Sequence, residues 1–359
     1  MHRVCSTVEE MLDPATVSDA LARPVSSVGR VPVATKGHSS TEARFEGVLI
    51  DGEAAPSLFL KTVDRARDWV SIATGDSVDR EVAVWETGLL DMLPSGVDHA
   101  IVAAARTQRS SSLLMHDRSA EFLAEDEPIT AEWVAGVLRA LAAMHAAYWE
   151  HPVLGRSAGV LCDLEQVLGH LGPARLPALR QAVPGHFIID LIDEGWSDLA
   201  GPVGSGLARD LRSLVVDPSP VVHALAGAPR TLVHADVRPA NVAFDGRRTT
   251  FVDWARPTVA PPGIDLAYLL LMSQPSAVMS PDEAIADYRA MLAASLGSDG
   301  SMSWWDDHID LCMTAVFAMM AAVLVDYETD RGSDEDPAHA RIAWWAERAE
   351  PGLRLLDRL

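Results

Sequence analysis

The chain has 359 residues, 48% of them apolar and 22% charged, a globular rather than disordered composition and long enough for two domains. Its formal net charge of −22 repels nucleic acid and anionic lipid, so neither is an expected partner. The same charge attracts a cationic small molecule, although acidity also simply keeps proteins soluble. Cys5, Cys162 and Cys312 are far apart and form no CxxC, which argues against a disulfide framework or a zinc site and for a reducing, cytoplasmic location. Arg3, Glu9, Glu10 and Asp13 leave no apolar core for a signal peptide. The longest apolar run, 311–325, lies between Asp310 and Asp326 and falls short of the ~20 residues of a membrane span, so it reads as a buried helix.

Along the chain, a short helix is expected at 14–22, then strands at 43–50 and 58–63 around an Asp51-Gly52 turn. A helix over 78–93 places Val82, Trp85, Leu89, Leu90 and Leu93 on one face and ends at Pro94-Ser95-Gly96. A short buried strand at 112–115 leads into the polar connector His116-Asp117-Arg118-Ser119. Beyond it the pattern is mostly helical. Thr130 is placed to cap a helix carrying Val134, Val137, Leu138, Leu141, Met144 and Tyr148 at helical spacing. Proline and glycine thicken over 152–185, and a further helix over 207–216 stops before Pro218. Three short strands follow, at 231–233, 242–244 and 249–252, the last two joined by an Asp245-Gly246 turn. The remaining third is helical.

The densest chemical signal lies among those strands. His234-Ala235-Asp236-Val237-Arg238-Pro239-Ala240-Asn241 is followed by Asp253-Trp254, with Asn241 five and Asp253 seventeen residues after Asp236. An aspartate so placed takes the proton of an attacking hydroxyl, while the amide and the second carboxylate supply hard oxygen ligands for Mg²⁺. The hairpin formed by the flanking strands would carry Asp253 back toward Asn241. A loop in which Asp236 and Asn241 merely cap turns is the plainer alternative, and it leaves Asp253 and both strands unexplained.

These residues resemble the kinase superfamily, and within it the aminoglycoside phosphotransferase and choline kinase branch. H-x-D-x-x-x-x-N is similar to the catalytic loop, and Asp253-Trp254 replaces the Asp-Phe of the protein-kinase D-F-G. Leu141-Ala142-Ala143-Met144-His145-Ala146 and Gly263-Ile264-Asp265-Leu266-Ala267 resemble the flanking segments. The resemblance implies an α+β, bilobal protein-kinase-like fold: a small β-sheet-plus-helix lobe at 1–115, a hinge at 116–119, and a larger, mostly helical lobe at 120–359. It also implies an ATP- or GTP-dependent, Mg²⁺-dependent kinase acting on a hydroxyl of a small molecule.

On that resemblance Asp236 is the base, and Asn241 and Asp253 hold Mg²⁺ on the β- and γ-phosphates. Arg238 stands where protein kinases usually have lysine, so it either binds the γ-phosphate or is a surface arginine. His234 is expected to brace the loop and Asp265 to anchor it. Lys61 is one of only two lysines in the chain and follows an apolar strand, where an ammonium suits the α- and β-phosphates. A carboxylate must hold it; the resemblance favours Glu81 over its competitor Glu86. Ser39 and Ser40, in the turn 36–41, are candidates for cradling phosphate oxygens, and Met115 and His116 for the hinge that meets adenine through backbone groups.

For the acceptor, two acidic groups stand out: Asp190, Asp193 and Glu194, and the run Asp326, Glu328, Asp330, Asp334, Glu335 and Asp336. They would pair with substrate ammonium groups or are solvated polar faces, the second being the commoner case. Trp304-Trp305 and Trp344-Trp345 would line a site for a quaternary amine or, more commonly, pack in the core. An aminoglycoside-type acceptor leads, a choline-like or other metabolite alcohol follows, and the oligomeric state is not legible. Two rivals come from other classes: a pseudokinase interaction module, and a hydrolase with His234, Asp236 and Asp253 as metal ligands.

Overall fold

The structure, a computed structural model, describes residues 2–33, 43–124, 127–273, 278–297, 302–329 and 337–358. Six strands build the N-terminal sheet: β1 (Val4–Cys5), β2 (Val28–Pro32), β3 (Ala43–Ile50), β4 (Leu58–Asp64), β6 (Ile101–Arg106) and β7 (Ser110–His116). Their order is β1-β6-β7-β4-β3-β2, antiparallel apart from the parallel β1–β6 pair. Alternation along β4 sorts its side chains. Leu58 and Leu60 enter a core with Val48, Ile50, Leu114, Met11 and Val17, so Lys61 is left on the opposite face. That face is covered by the helix Arg80–Glu86.

The expected helix over 78–93 is two pieces. The helix Arg80–Glu86 ends before Gly88, whose φ of +75° reverses the chain, and a 3₁₀ turn follows at Leu89–Met92. Strand β6 was not expected, because its Ala103-Ala104-Ala105 lacks the β-branched residues that mark strands. It is held instead by two neighbours, β1 and β7.

The C-terminal part is mostly helical. Thr130 caps the helix Ala131–Ala147 as expected, its Oγ1 accepting from the Trp133 N–H at 3.2 Å. The helix Trp305–Thr329 contains the apolar run 311–325 and lies buried among Gly263–Ser273, Phe187–Asp198 and Pro337–Leu356. Phe187–Asp198 crosses it so closely that a Cβ on Gly195 would sit 2.2 Å from the Ala322 carbonyl oxygen.

Five short strands frame the motif. β8 (Thr231–Val233) pairs with β11 (Thr258–Ala260), and β9 (Val242–Phe244) with β10 (Thr249–Phe251). β5 (Val97–Asp98) adds to the outside of β10 in parallel, fastening the end of the N-terminal part to the motif hairpin.

Candidate active site

Lys61 joins three elements that are distant in sequence. Its Nζ donates to Glu81 Oε2 and to Asp253 Oδ1, both at 2.8 Å. Strand β4, the helix Arg80–Glu86 and the segment after β10 therefore meet at one ammonium. Glu86, the competing carboxylate, is engaged elsewhere, by Arg106 at 3.0 Å. Burial presses on the Lys61 ammonium, but Asp253 and Glu81 more than offset it and raise its pKa. Burial raises the Glu81 carboxyl in spite of Lys61, whereas at Asp253 the ammonium prevails over enclosure and lowers the pKa. Glu81 Oε1 is buried and has no hydrogen-bond partner among the described residues.

The motif loop is held from beneath. Buried Asp265 accepts from the N–H of His234 at 2.9 Å and of Ala235 at 2.7 Å, and faces His145 Nε2 at 3.2 Å. Those bonds support Ala235 at φ +63°, a left-handed conformation costly for a residue with a Cβ. His234 has both ring nitrogens engaged. Nε2–H donates to the Val252 carbonyl at 3.0 Å, and Nδ1 accepts from the Asp236 N–H at 3.2 Å. Its ring lies against buried Trp254, 4.5 Å between centroids, and Trp254 Nε1 donates to the Phe251 carbonyl. Loop bracing by His234 and Asp265 agrees with expectation. A histidine with no free nitrogen is no metal ligand, which removes the hydrolase alternative.

The hairpin closes the site. The Val252 N–H donates to the Asn241 carbonyl at 3.0 Å, and Asp253 follows at φ +65°. Asn241 Nδ2 donates to the Asp236 carbonyl at 3.0 Å, which among the described residues leaves Oδ1 as the amide's open atom. With Asp253 Oδ1 on Lys61, its second oxygen is likewise open. Two hard oxygens on adjoining segments fit a cation that takes one or two protein ligands and fills the rest of its shell with phosphate and water, as Mg²⁺ does.

Around Asp236 the structure adds residues that the motif did not point to. Arg256 Nη2 lies 2.7 Å from Asp236 Oδ1, and Arg238 Nε lies 3.5 Å from the same oxygen. Arg256 is buried, donates from Nη2 to the Tyr268 hydroxyl at 3.2 Å, and bonds through Nη1 to His170 Nε2. Burial pushes the Asp236 carboxyl up, but the guanidiniums of Arg256 and Arg238 overcome it and hold the pKa well below the usual carboxylate range. The available signal for Arg256 was a cation three residues after Asp253, beside an apolar strand with no solvent-facing role.

Other sequence candidates divide. Met115 and His116 end β7, and the N–H groups of His116 and Asp117 donate to Ala100 and Ser57 carbonyls at 2.8 and 3.1 Å. Ser39 and Ser40 lie outside the described residues, as do Asp330, Asp334, Glu335 and Asp336, and the side chains of Asp326 and Glu328. Asp190, Asp193 and Glu194 are exposed on the helix Phe187–Asp198, Asp193 paired with Arg180 at 2.6 Å. The tryptophans pack: Trp305 is buried against Tyr288 and Trp345 against Phe317.

A sequence profile of the phosphotransferase enzyme family matches residues 99–303, more than half the chain and all of the motif loop. The chain belongs to this family. It is a small-molecule kinase. Among solved structures, this phosphotransferase is similar to a macrolide 2'-phosphotransferase from Brachybacterium faecium, at 14% identity over 96% of this chain and 99% of that one, TM-score 0.47. It is also similar to an aminoglycoside 2'-phosphotransferase in complex with GDP (15% identity, 93% and 91% covered, TM-score 0.45). A third is a choline kinase from Streptococcus pneumoniae (12% identity, 98% and 100% covered, TM-score 0.42). No curated protein matches the chain.

Proposed function

We propose that the phosphotransferase moves the γ-phosphoryl group of ATP, or GTP, to a hydroxyl of a small molecule, with Mg²⁺ as cofactor and Asp236 as base. The observation that carries this reading is the pair of hydrogen bonds from Lys61 Nζ to Glu81 and Asp253: an ammonium suited to phosphates lies beside a carboxylate suited to the metal. When bound, Mg²⁺ supplies charge neutralisation on the β- and γ-phosphate oxygens, and Asn241 Oδ1 and Asp253 would hold it. Asp236 orients the acceptor hydroxyl and takes its proton as the O–P bond forms and the bond to the nucleoside diphosphate breaks. A carboxylate with so low a pKa is a weak base, and it suffices because a loose transition state delays proton loss. Arg238, with 31% of its side chain exposed beside Asp236, meets the charge leaving the γ-phosphate in this reading.

Adenine or guanine lies at the end of β7 near Met115 and His116. Since the N–H groups of His116 and Asp117 are committed to the Ala100 and Ser57 carbonyls, other backbone groups of that segment contact the base. For the acceptor we favour an aminoglycoside-type or other hydroxylated, cationic molecule, with a choline-like alcohol as second choice; the net charge of −22 supports a cation. The three buried free cysteines suit a reducing, cytoplasmic setting.

Donor consumption should be measured in magnesium against a panel of aminoglycosides, macrolides, amino sugars and amino alcohols. Turnover with one class is the expected result. Nucleotide binding without turnover across the panel would place the protein among pseudokinases.

A further inference from the structure

The nineteen residues between Lys61 and Glu81 do more than connect them. They carry the helix Trp69–Thr74, whose first residue stacks on His170 of the C-terminal lobe, ring centroids 6.0 Å apart and planes 14° from parallel. The helix is capped by buried Asp68, which accepts from the Ser71 N–H at 2.8 Å, and it packs on the helices Leu164–Gly169 and Leu176–Ala182. The contact is close at its end: a Cβ on Gly75 would lie 3.2 Å from Gln166 Nε2.

His170 is fully buried, and its bonds settle which nitrogen carries the proton. Nδ1 faces the Val167 carbonyl at 2.6 Å, and a carbonyl only accepts, so Nδ1 is protonated. Nε2 is then a lone pair, and it accepts from Arg256 Nη1. The other end of that guanidinium holds Asp236. The segment also reaches the neighbouring residue, where Arg80 Nη1 donates to the Ala255 carbonyl at 2.9 Å. A continuous set of contacts thus runs from Trp69 through His170 and Arg256 to Asp236.

We propose that Trp69 and His170 are positioning residues that couple the placement of the nucleotide-binding lobe to the orientation of Asp236, through Arg256. The proposal rests on the reading of Asp236 as the base. When the lobes are in register, the imidazole lone pair fixes the guanidinium, and the guanidinium fixes the carboxylate toward the acceptor hydroxyl. When Trp69 shifts, His170 loses its stacking partner and Arg256 its aim. Neither residue contacts nucleotide in this scheme, so the coupling acts on the chemical step and not on donor binding.

The test uses the full-length protein with Mg²⁺–ATP and the best acceptor of the panel, or water where water is the best. Trp69→Leu and His170→Leu should each lower kcat about 10–100-fold while donor Kd stays within about twofold. His170→Gln, whose side-chain oxygen also accepts from Arg256, should recover kcat to within about threefold of the parent. Trp69→Leu added to Arg256→Lys should cost no more than Arg256→Lys alone, since both act through one contact set. Should His170→Leu fail to fold, partly exposed Trp69 carries the test. Parent-like kcat in Trp69→Leu, or full multiplicativity in the double variant, would overturn the proposal alone. A parent without transfer to any acceptor or water would remove Asp236 as the base and the coupling with it.

Discussion

At the residue scale, the site is a charge balance. Lys61 faces two carboxylates, and Asp236 faces two guanidiniums. Replacing Asp236 by Asn keeps its shape and removes the proposed base, and turnover should fall about 10²–10⁴-fold with donor affinity retained. Steady-state kinetics checks this; a loss below about tenfold would contradict the base assignment. His170 yields a pH prediction. Burial, reinforced by Arg256, lowers its pKa to about 3 from an ordinary value of ~6.5. Between those limits the unfolded chain takes up a proton that the folded chain refuses. The stabilisation is whole above pH ~6.5 and is lost as pH falls toward 3. His170→Gln should therefore show a shallower fall of Tm over that window than the parent, and parallel curves would contradict it. Lys61, Glu81, Asp236, Asn241 and Asp253 were legible because their chemistry sits at fixed spacings or beside a patterned strand. His170 was not, because its role depends on a partner 86 residues away.

At the element scale, backbone cost and side-chain support are matched. Asp265 satisfies two buried N–H groups where Ala235 takes its left-handed turn. Asp265→Ala leaves both unpaired at about 1–3 kcal/mol each, so a loss of roughly 2–6 kcal/mol is expected in denaturant unfolding. A change under about 1 kcal/mol would mean the loop stands without its anchor. Gly195 sets two effects against each other. Alanine would gain about 1 kcal/mol of helix propensity, yet its Cβ would meet the Ala322 carbonyl oxygen at 2.2 Å. Backbone oxygen cannot rotate away, so overpacking of about 1–3 kcal/mol or more prevails and Gly195→Ala is destabilising. A higher unfolding midpoint would contradict that close crossing. Strands β3, β4, β9 and β10 were readable from alternation and turn residues, and the cap at Thr130 from its side chain. The break at Gly88 and the alanine-rich β6 were not, because tertiary neighbours decided them.

At the scale of the whole molecule, the order of elements alone places Lys61 and Asp253 in different halves of the chain, and folding brings them within 2.8 Å. Parallel pairing of β5 with β10, the Arg80–Ala255 bond and the Trp69–His170 stack fasten the same two halves at other points. The α+β, two-part architecture was legible from the change of pattern near residue 116, since most strands precede it and most helices follow. Acceptor identity was not: the described acidic groups lie on an exposed helix face, and the tryptophan pairs serve the core. The decisive measurement is the calorimetric affinity of a non-hydrolysable ATP analogue, with magnesium and with chelator, in the parent and in Asp253→Ala. The account predicts that magnesium tightens binding to the parent at least about tenfold and has no such effect on the variant. Equal affinity of parent and variant in magnesium would contradict it.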